Sequence, residues 1–148
     1  MRTESGLTRL NVVATEDELC LVGGGPTVIT GEGAVNVIAA LSRMDRDTPI
    51  LNVGYAGSNA IPIGTRVRVG KAMLHHPNAE YDEPTFELDG DVPCRTSCDF
   101  VTETEVTEPC VFDMELAFIL AMGFTDVISE KVVSDNLNIE QYHESIGR

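Results

Sequence analysis

Positive charge is scarce in this chain. Ten lysines and arginines stand against 24 aspartates and glutamates among 148 residues, a formal net charge of −14. A surface of that sign repels phosphate backbones and anionic headgroups, so neither nucleic acid nor an anionic membrane is an expected partner. Long apolar runs are missing as well. Nothing approaches the roughly 20 residues that span a bilayer, and Met1 to Arg9 holds no apolar signal core. A cytoplasmic protein is expected. Cysteine is limited to Cys20, Cys94, Cys98 and Cys110, read as reduced, small core residues. Cys94-x3-Cys98 near His75 and His76 does not have the spacing of a zinc knuckle, so neither a metal nor a cofactor is expected. No repeat, low-complexity tract or interdomain linker interrupts the chain. Its length fits one domain, residues 1–148, with a real core.

What is present alternates in period. Leu10–Ala14 reads as a first strand, followed by the acidic tip Glu16-Asp17-Glu18 and a short apolar run, Leu19–Val22. Thr27–Thr30 is β-branched and strand-like. Ala34, Val37, Ile38, Leu41 and Met44 then recur at helical spacing and stop before Pro49. Ile50–Val53 is a buried strand, Thr65–Leu74 a half-exposed one, and residues 76–93 a long loop with a short hairpin. Strands over Val92–Val101, 110–114 and 127–134, with helices over 115–123 and 138–146, complete an α/β pattern with a largely parallel or mixed sheet.

The most informative stretch is Val111–Phe118. An apolar strand ends in Asp113-Met114-Glu115 and passes directly into a helix, Leu116–Met122, that is apolar on every side. Glu115 thus stands at the carboxyl edge of a strand, where open α/β sheets bind ligands. Two further edges of this kind are Asn52-Val53-Gly54-Tyr55-Ala56-Gly57-Ser58 and Val132-Val133-Ser134-Asp135-Asn136. Three strand ends with polar or glycine-rich tips point to a small-molecule site. Each also has a plain reading. Glu115 is suited to a helix first turn, Asp135 to a turn or N-cap, Phe100 to the core, and Gly54 and Gly57 to turns.

In this order the segments Thr27–Ala40, Asn52–Gly57, Thr65–His75, Thr96–Thr102, Val111–Ala117 and Val132–Asn136 resemble the purine nucleoside phosphorylase and methylthioadenosine/adenosylhomocysteine nucleosidase superfamily. They cover about two thirds of the chain, which resembles a shortened member. It lacks a hairpin strand after the first acidic tip, a helix before residue 92 and most of the terminal helix. The resemblance implies a three-layer αβα domain with a central twisted mixed sheet, a nucleoside substrate and no cofactor. It matches Glu115 to the carboxylate that grips the ribose hydroxyls and Met114 to the residue packing on the sugar face. Asp135, beside Ser134, matches the acid that hydrogen-bonds or protonates the purine N7. Phe100 matches the ring stacked on the base, and Val101 the backbone that reads the base edge. Ala56 and Gly57 match the glycine-rich tip beside the ligand, and Glu18 the carboxylate that activates water.

Such residues suit cleavage of a ribosyl C–N bond, which builds positive charge on the sugar and negative charge on the departing base. Phosphate as the nucleophile would need cations. Asn52 stands where related phosphorylases carry an arginine, and no arginine lies between Arg9 and Arg43. The expectation is therefore a purine nucleosidase, acting on a nucleoside that is plain or 5′-modified. A phosphorylase and a non-catalytic, degenerate nucleoside-binding protein are the alternatives. The all-round apolar helix 116–122 leads further to a homodimer, because such a helix must be covered on every side.

Overall fold

The computed structural model describes residues 8–75 and 83–147. The chain order is β1 (Leu10–Val13), a 3-10 helix (Glu16–Leu21), β2 (Thr27–Ile29), α1 (Ala34–Leu41), β3 (Ile50–Ser58) and β4 (Arg66–Leu74). Then come β5 (Phe86–Glu87), β6 (Val92–Thr96), β7 (Val111–Asp113), α2 (Leu116–Ala121), β8 (Val127–Asp135) and α3 (Ile139–Ser145).

The expected mixed sheet is present, and it is closed on itself. β3 pairs in parallel with β8 from Ile50 to Gly57 along one edge. Its other edge is shared: Ile50–Asn52 pair with β1, and Gly57 and Ser58 with β7. β8 continues antiparallel onto β4, β4 parallel onto β6, and β6 parallel onto β7, which returns to β3. β3, β8, β4, β6 and β7 therefore form a ring, from which β1 and β2 extend as a parallel flap. Closure follows from strand length. Nine residues in each of β3 and β4 let one edge serve two neighbours in succession, and the equally long β8 bridges the two.

β3 was expected to end at Val53 and runs on to Ser58. Its glycines explain the extension. A side chain at Gly54 would lie 2.6 Å from Glu18 Oε2, and one at Gly57 2.9 Å from Asp135 Oδ2. The strand continues because it is stripped of side chains where two carboxylates press against it. β6 is shorter than expected, ending at Thr96. Ser97 bonds sideways to the Asp113 carbonyl, and the Ser97 hydroxyl accepts from Asp99 N–H in a local turn. In place of a hairpin contained within 76–93, the two-residue β5 pairs antiparallel with β4, a strand that ends before that stretch; residues 76–82 lie outside the described ones.

One core cluster runs from Val12, Val37 and Leu41 through Ile50, Val69 and Val111 to Leu116, Ile119 and Val133. It settles the surroundings of α2. Leu116, Ala117, Ile119 and Leu120 are buried within the chain itself, so the apolar helix does not require a second subunit to cover it. The cysteines divide: Cys94 and Cys110 are buried, as expected of core residues, whereas Cys20 and Cys98 are exposed. No helix among the described residues is long and apolar enough to cross a membrane.

Arg46 joins the ends of both packed helices. Its guanidinium donates to the carbonyls of Leu41 at the end of α1, of Ser42 and Met44 just beyond it and of Met122 after α2, and it stacks 5.0 Å over the Phe124 ring. It satisfies carbonyls that helix ends leave without partners. Arg46→Ala is expected to lower unfolding free energy by about 2 kcal/mol, the scale of charge-assisted hydrogen bonds. Urea denaturation followed by circular dichroism measures it, and an unchanged midpoint would contradict the role.

Candidate active site

A cavity of about 350 Å³ opens where β1, β3, β7 and β8 end. Its floor and walls come from residues far apart in sequence: Ala14, Thr15 and Glu18 after β1, Tyr55–Gly57 in β3, and Phe112–Glu115 at β7. Ser134 and Asp135 close β8, and Asp99 and Phe100 follow β6. Ile139, Tyr142 and His143, one face of α3, complete the mouth together with Glu32. The structure thus brings together Glu18, Ala56, Gly57, Phe100, Met114, Glu115, Ser134 and Asp135. Val101 lines an adjoining cleft of about 30 Å³, alongside Phe100 and Asp135.

Glu18 was expected at an exposed acidic tip and is instead buried. The 3-10 helix turns it inward, and its Oε1 accepts from Ala14 N–H at 2.7 Å and Thr15 N–H at 3.3 Å. Oε2 accepts from Tyr55 N–H at 2.8 Å, which ties the β1 end to the middle of β3. Burial lifts the Glu18 carboxyl above its usual range, while Lys131 and these backbone donors act against the rise.

Glu115 sits at the N-terminal end of α2. Burial pushes its carboxyl up to about 8, and the neighbouring Asp113 carboxylate adds to the push; Lys131 and the Gly33 N–H, 3.4 Å from Oε2, pull the other way. The Gly33 backbone, at a φ of 86°, takes a conformation suited to glycine, and this lets its N–H lead α1 toward the site.

Asp135 is completely buried. Oδ1 accepts from Ser134 Oγ at 2.7 Å, and Oδ2 accepts from Leu137 N–H at 3.0 Å and Asn138 N–H at 3.3 Å. The turn role and the cavity position therefore coexist in one residue. Phe100 meets Tyr142 across the mouth, with ring centroids 5.6 Å apart and tilted by 60°.

Sequence reasoning missed Lys131. It is completely buried in β8, with Nζ 3.0 Å from Asp113 Oδ2. Burial works against its charge, yet the Asp113 carboxylate overrides this and holds the ammonium protonated; the ammonium in turn keeps Asp113 below the ordinary carboxylate range against its own burial. The signal was strand parity. Val127, Ser129, Lys131, Val133 and Asp135 share one inward face of β8. Tyr142 and His143 carried no comparable signal.

Asn52 does not reach the cavity; it is a core residue, accepting from Ser129 Oγ at 2.8 Å and donating to the Val12 carbonyl. Cys94 is buried and donates to Asp113, whereas Cys98 is exposed. His76 lies outside the described residues.

No family model and no curated protein matches this sequence. Solved structures do match its fold. The S-adenosylhomocysteine nucleosidase of Streptococcus pyogenes, in complex with 5-methylthiotubericidin, superposes with a TM-score of 0.77 at 19% identity, covering 97% of this chain and 92% of that one. The 5′-methylthioadenosine/S-adenosylhomocysteine nucleosidase of Neisseria meningitidis, in complex with methylthio-immucillin-A, gives 0.76 at 19% identity, with 95% and 92% covered. A futalosine hydrolase of Helicobacter pylori gives 0.68 at 14% identity, with 94% and 89% covered. The anticipated nucleosidase-like fold is the one these neighbours share with the chain.

The raised Glu115 carboxyl has a consequence for stability. A carboxyl with an ordinary value of 4.5 unfolded and about 8 folded binds its proton more tightly in the folded state. Its contribution is favourable below pH 4.5 and is lost as the pH rises through 8. Glu115→Gln should therefore flatten the decline in stability between these values, and stabilise the protein at pH 8 more than at pH 5. Urea melts across that range test it, and parallel profiles for both proteins would refute it.

Proposed function

We propose that this chain is a purine nucleosidase that hydrolyses the N-glycosidic bond of a purine nucleoside. One observation carries the reading: three buried carboxyl groups, Glu18, Glu115 and Asp135, converge from three separate strand ends on a cavity that no lysine or arginine among the described residues lines. Nucleosidases with this fold support it. The Streptococcus and Neisseria neighbours are named for 5′-thio-substituted nucleosides, so a 5′-modified purine nucleoside such as methylthioadenosine or adenosylhomocysteine is the substrate class we favour.

In this reading Glu115 accepts the ribose hydroxyls and Met114 packs on the sugar face. Phe100 stacks on the base and Val101 borders its edge, while Ala56 and Gly57 let the ligand approach the backbone. As the C1′–N9 bond breaks, its electron pair moves onto the base, and Asp135, steadied by Ser134, donates its carboxyl proton to N7. Glu18 draws a proton from water as the water oxygen bonds to C1′. Positive charge on the ribosyl group is met by carboxylates. A ligand that brings hydroxyl donors and cationic character also favours the anion of Glu115 over its protonated form.

The lining favours water over phosphate. It holds Glu18, Glu32, Asp99, Asp113, Glu115 and Asp135, and the buried ammonium of Lys131 is already engaged by Asp113. Among the described residues no lysine or arginine reaches the cavity to hold a dianionic nucleophile. Incubation with a panel of purine nucleosides, with and without phosphate, should release free base and free sugar equally in both. A strict phosphate requirement with ribose-1-phosphate as product would replace this reading with a phosphorylase. Binding of a nucleoside analogue without any release of base would leave a degenerate binding protein.

Asp135→Asn should lower turnover by about two orders of magnitude, the usual scale for a lost general acid, with much less effect on analogue binding. An unchanged rate would return Asp135 to the turn it also caps.

The same resemblance supports a three-layer description, with helices on both faces of the sheet, a homodimer and a cytoplasmic place in purine salvage. We carry these as part of the proposal.

A further inference from the structure

Beneath the cavity lies a charge arrangement that the proposed reaction does not use directly. Asp113 accepts from four side-chain or backbone donors: Thr96 Oγ at 2.5 Å and Cys94 Sγ at 3.3 Å on Oδ1, and Leu116 N–H at 2.8 Å and Glu115 N–H at 3.4 Å on Oδ2. The last two are N–H groups at the start of α2, which the helix leaves without partners of its own. Thr96 Oγ, in addition, accepts from Ala117 N–H at 3.0 Å. One carboxylate thus fixes the first turn of α2, and with it the backbone that carries Glu115. Against this carboxylate stands the ammonium of Lys131, 3.0 Å away, itself sealed from solvent. At that distance the ammonium and the carboxylate form a charge-assisted pair that ties β8 to β7.

We propose that Lys131 is a positioning residue for Glu115: it acts through Asp113 to hold the start of α2, and its buried charge sets how readily Glu115 ionises. The inference rests on the reading of Glu115 as the ribose-gripping group. The groups facing Glu115 are Asp113 on β7, Lys131 on β8, Glu18 on the 3-10 helix and the Gly33 N–H at the start of α1; Cys94 on β6 lies behind Asp113. Glu32, Asp99, Asp135 and His143 line the same cavity. Among the described residues Lys131 is the cation that acts on Glu115; it also acts on Glu18 and, together with Asp113, on Cys94. A purely structural lysine would leave the ionisation of Glu115 unchanged when exchanged for a neutral side chain of similar length. A positioning lysine would not.

The test reads Glu115 itself, so it does not depend on turnover. The protein is labelled with carboxyl-13C glutamate, the Glu115 signal is assigned with Glu115→Gln, and its titration is followed by NMR without ligand. Lys131→Met should move the Glu115 midpoint upward by about one pH unit, equivalent to a tenfold change in proton affinity. Asp113→Asn, which removes the repelling anion, should move it downward. Lys131→Arg should keep the wild-type midpoint. A buried anion left alone in Lys131→Met can unfold the chain, so a neutral pair supplies a second measure. Lys131→Met/Asp113→Asn should titrate at a higher pH than Asp113→Asn alone, because the two proteins differ only at Lys131. Equal midpoints in that comparison, or an unmoved midpoint in a folded Lys131→Met, would overturn the proposal. If these shifts occur while no nucleoside is cleaved, Lys131 stands and the catalytic reading falls.

Discussion

The β3–β8 ladder is the constraint on which the remaining architecture depends. Eight registered pairs, from Ile50 opposite Val127 to Gly57 opposite Asp135, bind two of the three nine-residue strands in parallel. Each then has a free edge to offer. β3 gives its edge first to β1 and then to β7, and β8 gives its edge to β4. The ring closes through these choices, and the carboxyl ends of β1, β3 and β8 are gathered at one end of it. That gathering makes the cavity. Parallel pairing places strand ends together, and side chains at such ends converge without any contact in sequence.

Convergence of carboxyl groups is costly unless the fold provides for each. Here the provision differs from group to group. Glu18 is held by three backbone N–H groups, Asp135 by two and a hydroxyl, and Asp113 by an ammonium. Glu115 receives only a 3.4 Å contact from Gly33 and remains the group whose charge is least supported. A carboxyl in that condition responds to what enters the cavity, because an arriving hydroxyl or developing cation supplies what the protein withholds.

Much of this was legible in the sequence, for identifiable reasons. The ends of β7 and β8 announced themselves because apolar runs stop abruptly at Asp113-Met114-Glu115 and Ser134-Asp135, and the structure places those residues together. Periodicity located α1 and α2 but not their surroundings; an all-round apolar pattern reads identically whether a partner or the chain's own barrel covers it. The burial of Glu18 was hidden because three consecutive acids look like a solvated tip, and only the return of the chain over β3 turns one of them inward. Ring closure was invisible for a similar reason. Which edge of β3 meets which strand is a long-range choice that no local pattern encodes, and Lys131 has a meaning only after that choice puts Asp113 opposite it.

Closure also decides where this protein can stick to itself. A strand with an unpaired edge is a template for another chain, and natural folds keep such edges short. Around the ring, β3, β6, β7 and β8 are flanked by neighbours on both sides. Among the described residues the outermost positions fall to β2, three residues long, and β5, two residues long. A run of two or three residues offers too few backbone groups to recruit a foreign strand. The strands that carry the carboxylates and the glycines are thus kept out of any intermolecular sheet, and the folded molecule should resist edge-to-edge aggregation even where its apolar strands are richest in valine.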